Sequence, residues 1–140
     1  YLAHLRCLTN ELGASGRVTF SGLLSGNSKW GAFAAAEAFV LPSHQENFGI
    51  AVVEALACGK PVLLSNKINI WREIVEDGAG YAEEDDLAGT QRLLMRWDET
   101  TPAQRQEMRH QARRCFAERF EINRAVDSLL AVLQSPPSDA

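Results

Sequence analysis

The chain has 140 residues, 46% of them hydrophobic and 23% charged, with a net charge of −4. That length supports one ordinary domain with a core that needs no disulfide or metal staple, and no apolar run reaches the roughly 18 residues of a membrane span. The cysteines Cys7, Cys58 and Cys115 are odd in number and too far apart for a disulfide framework or a zinc site, which fits a reducing cytoplasm, while the net negative charge argues against wholesale nucleic-acid binding.

The opening YLAHLRCLTNEL lacks the basic start and long apolar stretch of a signal peptide and carries no initial Met, so the chain reads as a piece of a longer protein that begins inside a helix. Leu2, Leu5, Leu8 and Leu12 recur at helical spacing until Gly13 and Gly16, after which Val18-Thr19-Phe20 reads as a short strand ended by Ser21-Gly22. Asn27 or Ser28 can cap a helix carrying Trp30, Phe33 and Ala34, and this helix leads into a second strand, Ala38 to Leu41, stopped by Pro42. Gly49 to Cys58 is apolar on nearly all sides, the pattern of a helix buried in a core, and Gly59 ends it. Lys60 to Ser65 is a third strand, apolar enough to be covered on both faces. A shorter helix spans about Ile70 to Glu76, closed by Asp77-Gly78, with Gly80-Tyr81 as a fourth strand. Beyond Asp86 the pattern is helical: Leu87 to Trp97, then a helix opened by Thr101-Pro102 with Gln104 completing a capping box, then Ala125 to Leu133 before a Pro-Ser tail.

Short apolar strands alternating with helices predict an α/β fold: a Rossmann-like, doubly wound parallel sheet of about four strands, helices on both faces and an all-helical C-terminal part, in one domain over 1–140. Such sheets bind ligands at the carboxyl ends of their strands. Glu73, Glu76, Asp77 and Glu83 to Asp86 form an acidic zone, whereas arginines gather at Arg105, Arg109, Arg113, Arg114, Arg119 and Arg124. The arginine run reads first as a solvated helix face, then as a surface for anionic lipid or a partner domain, and last as a nucleic-acid contact.

Within HQENFGIAVVEALACGKPV, positions 44 to 62, Glu54 interrupts the apolar helix. An unpaired carboxylate in an apolar interior costs at least several kcal/mol, so Glu54 needs a partner, either a basic side chain at the helix rim or the hydroxyls of a ligand. The loop from Leu41 to Gly49 leaves a strand's carboxyl end and runs into the helix N-terminus, where free N–H groups and the helix dipole favour a phosphate. Gly49 has no Cβ to obstruct a close approach. Glu46 and Glu54 would flank that phosphate, and two acceptors around a phosphate cradle suit a sugar nucleotide, whose ribose and hexose hydroxyls are joined by a diphosphate.

These residues resemble the donor-binding C-terminal domain of the retaining family-4 glycosyltransferases, also called group 1, which have the GT-B fold. Val18 to Gly22 is similar to that family's V-x-F-x-G strand, and Ala36 to Ser43 to its A-D/E-x-F-V-x-P-S segment. Glu46 to Glu54 is similar to its E-x7-E signature, and Glu54 to Val62 to the E-A-x-A-x-G-x-P-V continuation. The resemblance runs from about Val18 to Gly80. It implies that Glu46 meets hydroxyls of the donor sugar as the catalytic residue, that Asn47, Phe48, Gly49 and Ile50 offer amides to the sugar and diphosphate, and that Glu54 holds the ribose. It also places Gly22, Leu23 and Leu24 near the base. It implies no cofactor and no required metal, because basic side chains and helix-terminal amides stabilise the leaving phosphate, with a nucleotide-diphosphate sugar as co-substrate. The implied setting is polysaccharide or glycoconjugate synthesis in the cytoplasm, peripheral at the inner face of the plasma membrane. The glycan or lipid-linked acceptor would be held by an N-terminal domain outside this chain.

Two features depart from the family pattern. Asn66 to Glu73 stands where the family has a Gly-rich loop, which makes Lys67 and Arg72 candidate donor contacts beside His44. The basic pair that grips the diphosphate falls, in the family, before Tyr1, so the chain alone should fold, bind donor weakly and turn nothing over. His44 is more often a hydrogen-bonding scaffold than a base, Glu37 either a surface acid or one that supports the site from behind, Cys58 a small packed residue, and Trp30, Trp71 and Trp97 core or helix-packing anchors. The rival from another class is a non-catalytic Rossmann-like nucleotide-binding or interaction module. A GT-B epimerase lacks its histidine and arginine arrangement here, and neither Lys60 nor Lys67 suits the Schiff base of a phosphorylase-like pyridoxal site.

Overall fold

The computed structural model describes residues 1–121 and Val126. They divide into two compact units, Tyr1–Gly31 and the chain from Ala32 onward, each with its own contacts. The elements are α1 (Leu2–Glu11), α2 (Gly26–Ala35), β1 (Phe39–Leu41), α3 (Ile50–Ala57), β2 (Val62–Ser65), α4 (Trp71–Glu76), β3 (Gly80–Glu83), α5 (Leu87–Glu99) and α6 (Pro102–Cys115), followed by a π-helical turn, Phe116–Phe120. The helix expected over Ala125 to Leu133 lies outside the described residues.

In the first unit, α1 ends as its glycine predicts. Gly13 takes φ 63°, and the amides of Gly13 and Ala14 return to the carbonyls of Asn10 and Thr9. The strand expected at Val18-Thr19-Phe20 does not form. A strand needs a ladder partner whatever its propensity, and these residues have none among those described. Phe20 instead lies under the Arg6 guanidinium, 5.6 Å from the ring centre. α2 starts at Gly26, so Asn27 and Ser28 sit inside its first turn rather than capping it, and the Ser28 hydroxyl donates to the Ser25 carbonyl.

The second unit holds a three-stranded sheet in the order β1-β2-β3, every pair parallel, with Val62 opposite both Phe39 and Gly80. Three strands thus replace the four expected, the missing one being Val18–Phe20. β2 is central and all four of its residues are buried, which is why it reads as an unbroken apolar run. Val62 and Leu64 join the core built with Val52 and Leu56 of α3, Ile74 of α4 and Ala112 of α6. Leu63 faces the other way by strand alternation and is fully buried on the side where α5, with its buried Leu93, meets β2 and β3. Helices therefore cover both faces, as the sequence predicts. Gly80 begins β3 because nothing larger fits: a Cβ there would stand 2.1 Å from the Val62 carbonyl oxygen.

Local capping chemistry sets the helix ends. Gly59 and Gly78 follow α3 and α4 at φ 67° and 69°, and the next amides, of Lys60 and Ala79, reach back to the carbonyls of Ala55 and Ile74 as Schellman turns. Thr101 and Gln104 form the predicted capping box of α6. Arg119 forks onto Asp77 with two bonds of 2.7 Å and holds that carboxyl below its usual range. Burial, reinforced by Asp77, pushes the Cys115 thiol up to about 12, so it is an inert packing group.

One expectation is corrected. α3 is not buried all round: Val52, Ala55 and Leu56 are buried, whereas Ile50 is 70% exposed, Ala57 is exposed, and Ala51, Val53 and Glu54 are half-buried. A helix whose residues are nearly all apolar hides which of its faces meets solvent. Glu54 therefore stands on a flank of α3 rather than inside a closed apolar core.

Candidate functional site

The carboxyl edge of the sheet gathers three loops, one after each strand, and they are tied to one another. Glu46, in the loop after β1, pairs with Ile68, in the loop after β2, as a parallel bridge. The Glu46 amide donates to the Lys67 carbonyl at 3.4 Å, and the Asn69 amide donates to the Glu46 carbonyl at 3.3 Å. The Ser65 hydroxyl at the end of β2 donates to the Ser43 carbonyl. The third loop joins through side chains. His44 Nδ1 lies 2.9 Å from Asp85 Oδ2, Asn66 donates to Glu84 at 2.7 Å, and Lys67 Nζ stands 3.4 Å from Glu84 and 3.9 Å from Asp85. The hydrogen bond from His44, with Lys67 adding its charge, holds the Asp85 carboxyl below the usual carboxylate range, so Asp85 is ionised at neutral pH.

Glu46 and Gly49 meet at the entry to α3. Gly49 is buried, takes φ 68° in the left-handed region and occupies the N-cap. A Cβ there would lie 3.1 Å from Val52 Cγ2, 3.4 Å from Ile68 Cγ2 and 3.5 Å from Glu46 Cγ, so the Glu46 stem packs directly beside this glycine. The amides of Ile50 and Ala51 come before the helical ladder, whose first bonds run from the Val52 and Val53 amides to the Gly49 carbonyl. With the helix dipole they make the N-terminus of α3 a place for an anion. Glu54 is the fifth helical residue, about 6 Å along the axis from Ile50.

The other expected site residues divide. Asn47 and Phe48 are exposed on the same loop, with the Phe48 ring edge-on to Phe120, 6.1 Å between centres. Lys67 belongs to the edge, where the acids of the third loop hold it. Arg72 lies on α4 with its guanidinium 4.8 Å from the Trp71 ring centre. Gly22, at φ 68°, and Leu23, 97% exposed, lie with Leu24 in the first unit, and their assignment stands on the motif alone. Sequence reasoning missed Glu84 and Asp85 as parts of this edge. The signal was available, since they follow a third parallel strand and must emerge beside the other two loops. Glu37 is indeed a surface acid, paired with Arg105 at 2.8 Å. Among the described residues no cluster of three His, Cys, Asp or Glu side chains is placed to hold a metal ion, and no helix is long and apolar enough to cross a membrane.

Comparison with known proteins converges on one group. D-inositol 3-phosphate glycosyltransferase of Mycolicibacterium vanbaalenii is 34% identical over 129 residues, covering 89% of this chain and 27% of that relative. O-antigen chain mannosyltransferase RfbU of Salmonella typhimurium is 35% identical over 86 residues, 61% of this chain and 24% of that relative. The chain thus spans about a quarter of the length of these curated relatives. Among solved structures, sucrose-phosphate synthase of Thermosynechococcus elongatus superposes with a TM-score of 0.74 at 23% identity, over 93% of this chain and 34% of that one. WaaG, a glycosyltransferase involved in lipopolysaccharide biosynthesis, superposes with a TM-score of 0.73 at 21% identity, over 97% and 36%. These likenesses establish the α/β fold of GT-B glycosyltransferases. Residues 1–115 match the family described as Glycosyl transferases group 1, and the chain belongs to that family.

Proposed function

We propose that the chain is the donor-binding part of a glycosyltransferase that moves a sugar from a nucleotide-diphosphate donor to an acceptor with retention at the anomeric carbon. The observation that carries this is the entry to α3. There Glu46 is fixed by a backbone bridge to the neighbouring loop and packs beside a left-handed Gly49, at the mouth of a helix whose first amides precede its ladder. The diphosphate sits against the amides of Gly49, Ile50 and Ala51, with Asn47 and Phe48 beside it on the loop. As the bond to the sugar breaks, negative charge grows on the departing phosphate, and those preset dipoles stabilise it without reorganising. Glu46 accepts hydrogen bonds from donor-sugar hydroxyls and fixes the anomeric carbon, while Glu54, one turn further, accepts from the ribose. The chemistry requires no metal.

His44, held by Asp85, is a positioning residue for the loop rather than a base, and Lys67 brings positive charge to the same edge. The name of one relative, a mannosyltransferase, supports a hexosyl donor. The acceptor, a glycan or a lipid-linked molecule, is met through a further domain, and the setting is polysaccharide or glycoconjugate synthesis at the cytoplasmic face of the membrane. Titration of the chain with uridine, guanosine and adenosine diphosphates, followed by amide chemical shifts, tests the proposal. Saturable shifts confined to residues 44 to 54 are expected for at least one of them. Absence of response to all three would make the chain a non-catalytic interaction module.

A further inference from the structure

At the opposite edge of the sheet, the α3–β2 turn and one face of α6 enclose a cavity of about 210 Å³ lined by Gly59, Lys60, Gln106, Arg109, His110 and Arg113, with no acid in its wall. It lies beyond the far end of α3, about 12 Å along that helix from the Gly49 entry, so it is separate from the donor site. Three full positive charges meet there. None of the three has an acid partner among the described residues; Lys60 Nζ spends one donor on the Ala34 carbonyl, at 2.8 Å. Arg109 and Arg113 stand one helical turn apart, where like charges repel. The Arg113 side chain lies over Gly59 so closely that a Cβ there would be 2.5 Å from its Nε.

Two bland explanations fall short. The carboxyl end of α3 presents a partial charge of only about −0.5, which leaves most of the positive charge unbalanced. Water reaches the exposed Arg113 and the half-buried Lys60, but the Nε of Arg109 is buried and has no hydrogen-bond partner. Arg109 lines the cavity, and an acceptor with negative charge seated there would meet its guanidinium with charge-assisted hydrogen bonds. The volume accommodates a phosphate group with part of its hydration shell.

We infer that this cavity is a phosphate-binding site, with Arg109 and Arg113 donating to the phosphate oxygens and Lys60 adding its remaining protons. The phosphate group belongs either to a small phosphorylated compound or to a phospholipid headgroup.

Inorganic phosphate titrated into the full chain should give saturable amide shifts at residues 59–60 and 106–113. Lys60→Gln combined with Arg113→Gln should weaken that binding by about tenfold for each cation removed, with an unchanged circular dichroism spectrum. Arg113→Lys should restore part of it. A measurement that needs no variant is protection of Arg109 and Arg113 from phenylglyoxal by phosphate, read by mass spectrometry. Co-sedimentation with vesicles of equal parts phosphatidylcholine and phosphatidylglycerol, against phosphatidylcholine alone, identifies the source. Binding to the anionic vesicles that the double variant loses assigns a headgroup, and phosphate binding without vesicle binding assigns a small compound. Absence of both saturable shifts and protection overturns the inference, as does an equal response in a folded double variant.

Discussion

At the carboxyl edge of the sheet, the loops after β1 and β2 are joined backbone to backbone at Glu46 and Ile68, Lys67 is paired with Glu84, and His44 is hydrogen-bonded to Asp85. At the amino edge, the chain turns through the Schellman ends of α3 and α4, and the cations beside Gly59 lack acid partners among the described residues. The same helix, α3, has a left-handed glycine at each end, Gly49 and Gly59, yet their surroundings differ. Side chains from three separate positions crowd Gly49, whereas the Cγ, Cδ and Nε of a single exposed arginine, Arg113, crowd Gly59. One edge is tied together through its backbone, and the other gathers cations without acid partners among the described residues.

Substitutions can break that contrast at several strengths. The largest effect belongs to Gly80→Ala at the amino edge, where the new Cβ would lie 2.1 Å from the Val62 carbonyl and must force β2 and β3 apart. A loss of about 4 kcal/mol or more is expected, seen as the disappearance of a cooperative thermal transition. Gly49→Ala adds left-handed strain to a contact of 3.1 Å with Val52 and should cost about 2–3 kcal/mol in denaturant melts. Gly59→Ala carries the same strain, but Arg113 can swing aside, so about 1 kcal/mol is expected. Equal costs for the two glycines would erase the distinction between the edges. Glu54→Gln should weaken nucleotide-diphosphate binding by about tenfold, by titration calorimetry, while stability changes by less than about 0.5 kcal/mol, because the side chain sits on a half-buried flank. A collapse in stability would make Glu54 a structural acid.

The smallest effect is expected at Asp85. Its carboxyl is held below the ordinary value by His44, so its ionised form favours the folded state. That contribution is present above pH 3.8, the unpaired value, and is lost as the pH falls through the lower folded value. Asp85→Asn should therefore lower the melting temperature slightly at neutral pH, and the gap from the unsubstituted chain should close in strong acid. A gap independent of pH would sever Asp85 from the His44 pair.

Much of the fold was legible because its signals are local. Gly59 and Gly78 announce their helix ends by a backbone conformation few other residues take, Thr101 and Gln104 announce a cap within one turn, and β2 announces burial by four apolar or small residues in a row. Val18-Thr19-Phe20 misled for the complementary reason: its propensity is local, but a strand is a property of two segments. The flanks of α3 were hidden because apolar residues at nearly every position leave no period to read. In the candidate site, the loop, its glycine and the α3 entry follow from a strand-to-helix pattern. The clasp of His44 on Asp85 does not, since it joins residues 41 positions apart. The grouping of Lys60 with Arg109 and Arg113 was invisible for the same reason.

The bridge between Glu46 and Ile68 makes two segments into one mechanical part. Anyone who transplants residues 66 to 70 from another member of the family would also shift the backbone that carries Glu46. Successful grafts should come as matched pairs of loops, exchanged together.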